Sequence, residues 1–146
     1  MFINNIFHQG MFATAWIGIV DTRTMTLQYT NAGHNYPFFQ RRGQSCKMIE
    51  ARHGLFLAGM EFMRYKQSEV RLQPGDRLLL YTDGVTEAHD RENSLYGEDR
   101  LQKMLESTAE LPGEEVLEQI LNDVNDFTAG APQFDDITMI ILTIKD

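Results

Sequence analysis

Helical periodicity is confined to one stretch of this sequence, and that confinement limits the folds open to it. Leu101, Met104, Leu105 and Thr108 fall on one helical face, and Val116, Leu117, Ile120, Leu121, Val124 and Phe127 make a longer stripe. Pro112 with Glu114 and Glu115 suits the first turn of the second helix, and Gly130 and Pro132 end it. Residues before this pair read at strand period, and the apolar run Ile137–Ile144 follows it as a last strand. Strands, a helical pair and a closing strand predict an α+β fold of antiparallel sheets flanked by helices. The strict βαβ alternation of a doubly wound fold is missing.

Within the first part, residues 12–20 are apolar on both alternating faces, which predicts a central strand covered on both sides. Asp21-Thr22-Arg23-Thr24 breaks it, and Leu27 and Tyr29 then alternate with Gln28 and Thr30, giving an antiparallel hairpin. Short strands at 36–40 and 47–49 flank a turn at Arg42-Gly43-Gln44. In Gln73-Pro74-Gly75-Asp76, Pro presets φ and Gly accepts a positive φ, a type II turn joining strands near 65–72 and 77–82.

Of the 146 residues, 42% are apolar and 23% charged, the usage of an ordinary globular domain. The net charge of −8, with no basic cluster larger than Arg41-Arg42, excludes the electrostatic footprint of a nucleic-acid binder. Cys46 is the sole cysteine, so neither an internal disulfide nor a cysteine zinc cage is available. Met1 to Phe7 lack a cationic lead and a cleavage site, and nowhere do about 18 apolar residues run together. These features predict a cytoplasmic chain with no membrane segment.

The chemistry-bearing residues sit at strand ends. Leu78-Leu79-Leu80-Tyr81-Thr82-Asp83-Gly84 is an apolar strand closing on a carboxylate and a glycine, a rigid way to present a metal ligand. Taken alone, Asp83-Gly84 reads more readily as a plain turn. Gln133-Phe134-Asp135-Asp136-Ile137-Thr138 repeats the logic in reverse, with paired acids entering a buried strand. Adjacent carboxylates repel unless a cation or donors offset them, and hard divalent ions favour such oxygens; a solvated turn with Asp136 bonded to the backbone is the other reading. Asn31-Ala32-Gly33-His34 follows a strand where a loop can turn into a cleft, although a lone histidine is more often structural. Cys46 and the scattered methionines read as packing.

In this order, Gly10-Met11-Phe12-Ala13-Thr14, Asn31-Ala32-Gly33-His34, the run Gly75–Ala88 and Asp135-Asp136-Ile137-Thr138 resemble the PPM superfamily of metal-dependent serine/threonine phosphatases, in its SpoIIE/RsbU-type branch. The resemblance covers nearly the whole chain. It implies an antiparallel β-sandwich flanked by helices, and two Mn2+ or Mg2+ ions that activate a water against phosphoserine or phosphothreonine, with no catalytic side chain beyond that water. It implies Asp83 and Asp135 as metal ligands. Asp136 stands where many relatives have Asn and would lie behind them; Gly84, Asn31 and His34 would line or support the cleft, and Glu87 the loop scaffold. Implied partners are a phosphorylated regulatory protein, of the anti-anti-sigma antagonist kind, and an upstream sensor or receiver domain.

One departure accompanies the match. Relatives carry, further upstream, a strand ending in a Gly-rich segment whose Asp bridges both metals, and no such segment precedes Gly10. The expectation is that residues 1–146 form the C-terminal portion of one such phosphatase domain, with N-terminal strands missing. Its metal centre would be incomplete, its activity weak or nil, and its open sheet covered by a homo-oligomer. A non-catalytic phosphoprotein-binding or regulatory module on the same fold is the alternative. An unrelated divalent-cation-binding domain would need the motif order to be accidental.

Overall fold

The computed structural model describes residues 12–57, 64–133 and 135–145. Met1 to Phe7, Gly10-Met11 and Phe134, which enter the sequence reading, lie outside the described residues. Backbone contacts divide the chain into two compact units: residues up to Tyr36 with Glu50–Leu72, and Pro37–Ile49 with Gln73–Asp146.

The first unit holds a three-stranded antiparallel sheet in the order β1-β2-β5, from β1 (Ala15–Asp21), β2 (Thr26–Ala32) and β5 (Ser68–Arg71). The β1–β2 hairpin turns as expected, with the Asp21 carboxylate accepting from the main-chain N–H of Arg23 at 2.9 Å. Leu27, Tyr29 and Ala32 are buried, and Tyr29 stacks on Trp16 with ring centroids 5.5 Å apart.

The expectation of a central, doubly covered first strand is not met. Among the described strands β1 has a neighbour on one side only, and Ile17 and Ile19 are 57% and 67% exposed. Apolar side chains on both faces state what a strand is able to bury, not that cover is present.

The second unit holds a four-stranded antiparallel sheet, β4-β3-β6-β7, from β3 (Phe38–Gln40), β4 (Lys47–Met48), β6 (Arg77–Tyr81) and β7 (Met139–Thr143). It also holds three helices: α1 (Asp83–Thr86), α2 (Glu98–Ser107) and α3 (Gly113–Thr128). Gly75 takes φ +87°, and Asp76 N–H bonds to the Gln73 carbonyl at 2.9 Å, so the Pro-Gly turn forms and hands the chain from one sheet to the other. The apolar stripes of the helices meet β3 and β6: Phe38, Leu79, Val85, Leu101, Leu105, Val116, Ile120 and Val124 are at most 1% exposed and form one core. Each such side chain contributes about 1.5–3 kcal/mol on burial. Leu121, assigned to the same stripe, is 40% exposed, as is Ile140 of β7 at 58%. The stripe is therefore narrower than its apolar residues suggest, and β7 lies at the sheet's edge.

Two antiparallel sheets and a helical set confirm the α+β class. None of the described helices is long and apolar enough to cross a membrane.

Candidate functional site

At the end of β6 the chain is fastened by one side chain. Thr82 donates its N–H to the Thr138 carbonyl and its hydroxyl to the Asp136 carbonyl, and its oxygen accepts the Thr138 N–H, each at 3.0 Å. This clamp brings the residues after β6 against those before β7. Asp83 then opens α1, whose carbonyl accepts from Glu87 N–H at 2.7 Å, while its side chain is exposed.

Gly84 has an ordinary negative φ, so space rather than backbone freedom demands glycine here. A Cβ added at Gly84 would run into the Asp136 carbonyl oxygen and stand 3.2 Å from that of Asp135. Asp83-Gly84 and Asp135-Asp136, more than fifty residues apart in sequence, are thus direct neighbours. The acid pair is itself ordered: Asp135 accepts the Asp136 N–H at 2.7 Å, and its carbonyl accepts the Gln133 amide at 2.8 Å. All three aspartates are exposed.

The donor set is carboxylate and carbonyl oxygen, which suits a hard divalent cation such as Mg2+ or Mn2+. Its number is short: among the described residues no three His, Cys, Asp or Glu side chains group closely enough to hold an ion. The residues fit such a cation in chemistry.

Asn31 and His34 belong to the other unit, where their role is visible locally. The buried Asn31 side chain donates to the His34 carbonyl at 2.9 Å and accepts the His34 N–H at 2.8 Å, closing a loop in which Gly33 takes φ +72°. An added Cβ at Gly33 would lie 3.1 Å from the Phe56 nitrogen. His34 Nδ1 pairs with the Thr14 hydroxyl at 3.0 Å.

Two residues escaped the sequence reading. His53 Nδ1 accepts the Asn31 N–H at 3.0 Å, which leaves the proton of the neutral ring on Nε2, 2.7 Å from the Ser68 hydroxyl. Nothing in the residues around His53 announces this, because both partners are distant in sequence. Thr82, by contrast, stood inside the strongest motif, and only its pairing with 136–138 was hidden.

The chain spans a minority of the curated relatives it matches. It is 34% identical over 131 residues to protein IcfG of Synechocystis, covering 89% of this chain and 20% of that protein. It is 30% identical over 139 residues to phosphoserine phosphatase RsbU of Bacillus subtilis, covering 92% of this chain and 40% of that protein. Among solved structures, the SiaA PP2C domain of Pseudomonas aeruginosa superposes with a TM-score of 0.78 at 23% identity, over 90% of this chain and 51% of that one, which establishes a shared fold. The family model described as Stage II sporulation protein E (SpoIIE) matches residues 2–145. The chain belongs to the SpoIIE family, as a PPM-type phosphatase domain of the SpoIIE/RsbU kind.

Proposed function

We propose that this domain serves the hydrolysis of phosphoserine or phosphothreonine on a regulatory protein in a bacterial signalling pathway, with Asp83 and Asp135 holding Mn2+ or Mg2+. The observation that carries the reading is the Thr82 clamp, which sets Asp83-Gly84 against Asp135-Asp136. When bound, such ions acidify a water and offset charge on phosphoryl oxygens. The chain's own part is positional. Thr82 fixes the spacing of the two strand ends, Gly84 permits their close approach, and the Asp136 carbonyl is tied back by the Thr82 hydroxyl. In the other unit, Asn31 and His34 hold their own loop closed.

RsbU, the relative at 30% identity, is named a phosphoserine phosphatase, which supports a phosphoserine substrate. The remaining partners of the proposal are a phosphorylated anti-anti-sigma-type antagonist and an upstream sensor or receiver domain, acting in the cytoplasm. A second reading, a phosphoprotein-binding module without turnover, is favoured by the shortage of ligating side chains among the described residues.

The test is p-nitrophenyl phosphate hydrolysis with Mn2+ by the protein encoded by the complete gene. Asp83→Asn and Asp135→Asn should each lower kcat/KM about a hundredfold or more. Turnover indifferent to both substitutions would overturn the assignment. No turnover by the intact protein, with retained binding of a phosphoprotein, would establish the second reading.

A further inference from the structure

A pocket of about 390 Å3 opens at the Arg77 end of β6, roughly 13 Å along the strand from Tyr81, whose end leads to Asp83. Its volume is that of a small-molecule site. Among the described residues the walls carry Arg41, Arg42, Arg77 and Lys145 and one carboxylate, Glu110.

Arg77 makes this more than a basic patch. It is 5% exposed, and its Nη1 donates to the Thr108 carbonyl at the end of α2 at 2.9 Å. Its Nε and Nη2 are covered and find no acceptor among the described residues. A buried guanidinium without its full set of acceptors is costly, because it has surrendered water without replacing it. Burial accordingly draws its pKa down. The nearby Cys46 thiol gives no counter-charge at neutral pH, since burial and then Glu106 push its pKa up to about 12, so the nearby counter-charge is that of Glu110. The cross-strand partner of Arg77, Gln40, is equally buried, lines the same pocket, and leaves its side-chain oxygen Oε1 without a donor.

Orphaned donors on a cation beside an orphaned acceptor define a ligand with anionic oxygens and one O–H. We propose that this pocket binds a phosphate-class oxyanion, as free hydrogen phosphate or as a small phosphate monoester, between Arg77 and Gln40. Oxygens of the anion accept from Arg77 as the guanidinium turns about its Thr108 bond toward the pocket, and the P–OH of hydrogen phosphate, or of a monoester in its monoprotonated form, donates to Gln40. Arg42 and Lys145 add charge at the walls. The site is separate from the aspartates and does not depend on the phosphatase reading.

The test is an NMR titration of the metal-free chain with inorganic phosphate and, separately, with glycerol phosphate, against sodium chloride at matched ionic strength. Saturable shifts are expected at the Arg77 Nε–H and at the amides of Gly43, Gly75 and Lys145, with affinity falling at least tenfold in Arg77→Met. Should Arg77→Met fail to fold, Arg42→Gln with Lys145→Gln decides, with the same tenfold loss expected. Tighter binding of the ester would assign the site to a phosphorylated small molecule, and equal or tighter binding of phosphate to the free ion. Shifts that do not saturate, or affinity unchanged in the double variant, would overturn the proposal.

Discussion

The Thr82 hydroxyl donates to the Asp136 carbonyl at 3.0 Å across 54 positions of sequence. The same oxygen accepts from Thr138, so one small side chain replaces a rung of the β6–β7 ladder just where the two strands must part. Beyond that point Asp83, Asp135 and Asp136 are exposed.

Gly84→Ala tests this close approach. The added methyl meets main chain, not a flexible side-chain end, so either α1 or the 135–136 segment must move. A loss of about 1–3 kcal/mol is expected in urea unfolding. Mn2+ affinity should fall more in this variant than in Gly43→Ala, where nothing lies within 4 Å of the new methyl.

Much of this was legible beforehand. The turn at Gly75, the two helices and the strand end at Asp83 follow from local chemistry: Pro-Gly dihedrals, an apolar stripe, an apolar run meeting a carboxylate; the buried strand expected directly after Asp135-Asp136 instead begins at Met139 and lies at the sheet's edge, partly exposed. What was hidden depends on pairs distant in sequence. His53 supports Asn31 from 22 positions away, and Arg77 reaches Thr108 from 31. Cover was hidden too, because Ile17 and Ile19 have the same sequence signature whether buried or not.

A second prediction concerns acid. Asp123 accepts from the Tyr96 hydroxyl at 2.7 Å and from Arg100 Nε and Nη2 at 2.8 Å each, and the Arg100 bonds hold its carboxyl below the usual range. A depressed folded pKa contributes stability above the unfolded value near 3.8, and that contribution is lost as pH falls through the folded value. Asp123→Asn should therefore lower stability at pH 7 and flatten the acid limb below about pH 4. With the Arg100 side chain 40% exposed, the effect is about 1 kcal/mol or less. Urea unfolding between pH 2 and 7 measures it; parallel acid limbs in the two proteins would contradict it.

Association is the third. The edge of β1 that no described strand pairs and the exposed Ile17 and Ile19 offer a strand template and an apolar face together. Light scattering should show this chain as a dimer or larger at tens of micromolar, and Ile17→Lys with Ile19→Lys should return it to a monomer. A concentration-independent monomer before substitution would contradict the expectation.

The last prediction separates binding from turnover. On the proposed assignment Asp83 and Asp135 gather one hydrated cation, and two carboxylates are too few to anchor a second. Groups that stabilise a phosphoryl transition state jointly are worth several kcal/mol, and each 1.4 kcal/mol or so is about tenfold in rate. The 146-residue chain alone should therefore hydrolyse p-nitrophenyl phosphate below easy detection even in millimolar Mn2+, yet still bind the ion. Paramagnetic broadening by Mn2+ should spread from the amides of Gly84, Asp136 and Ile137 and vanish in Asp83→Asn. Full turnover that survives Asp83→Asn would place the chemistry at other residues; broadening that survives it would place the ion elsewhere.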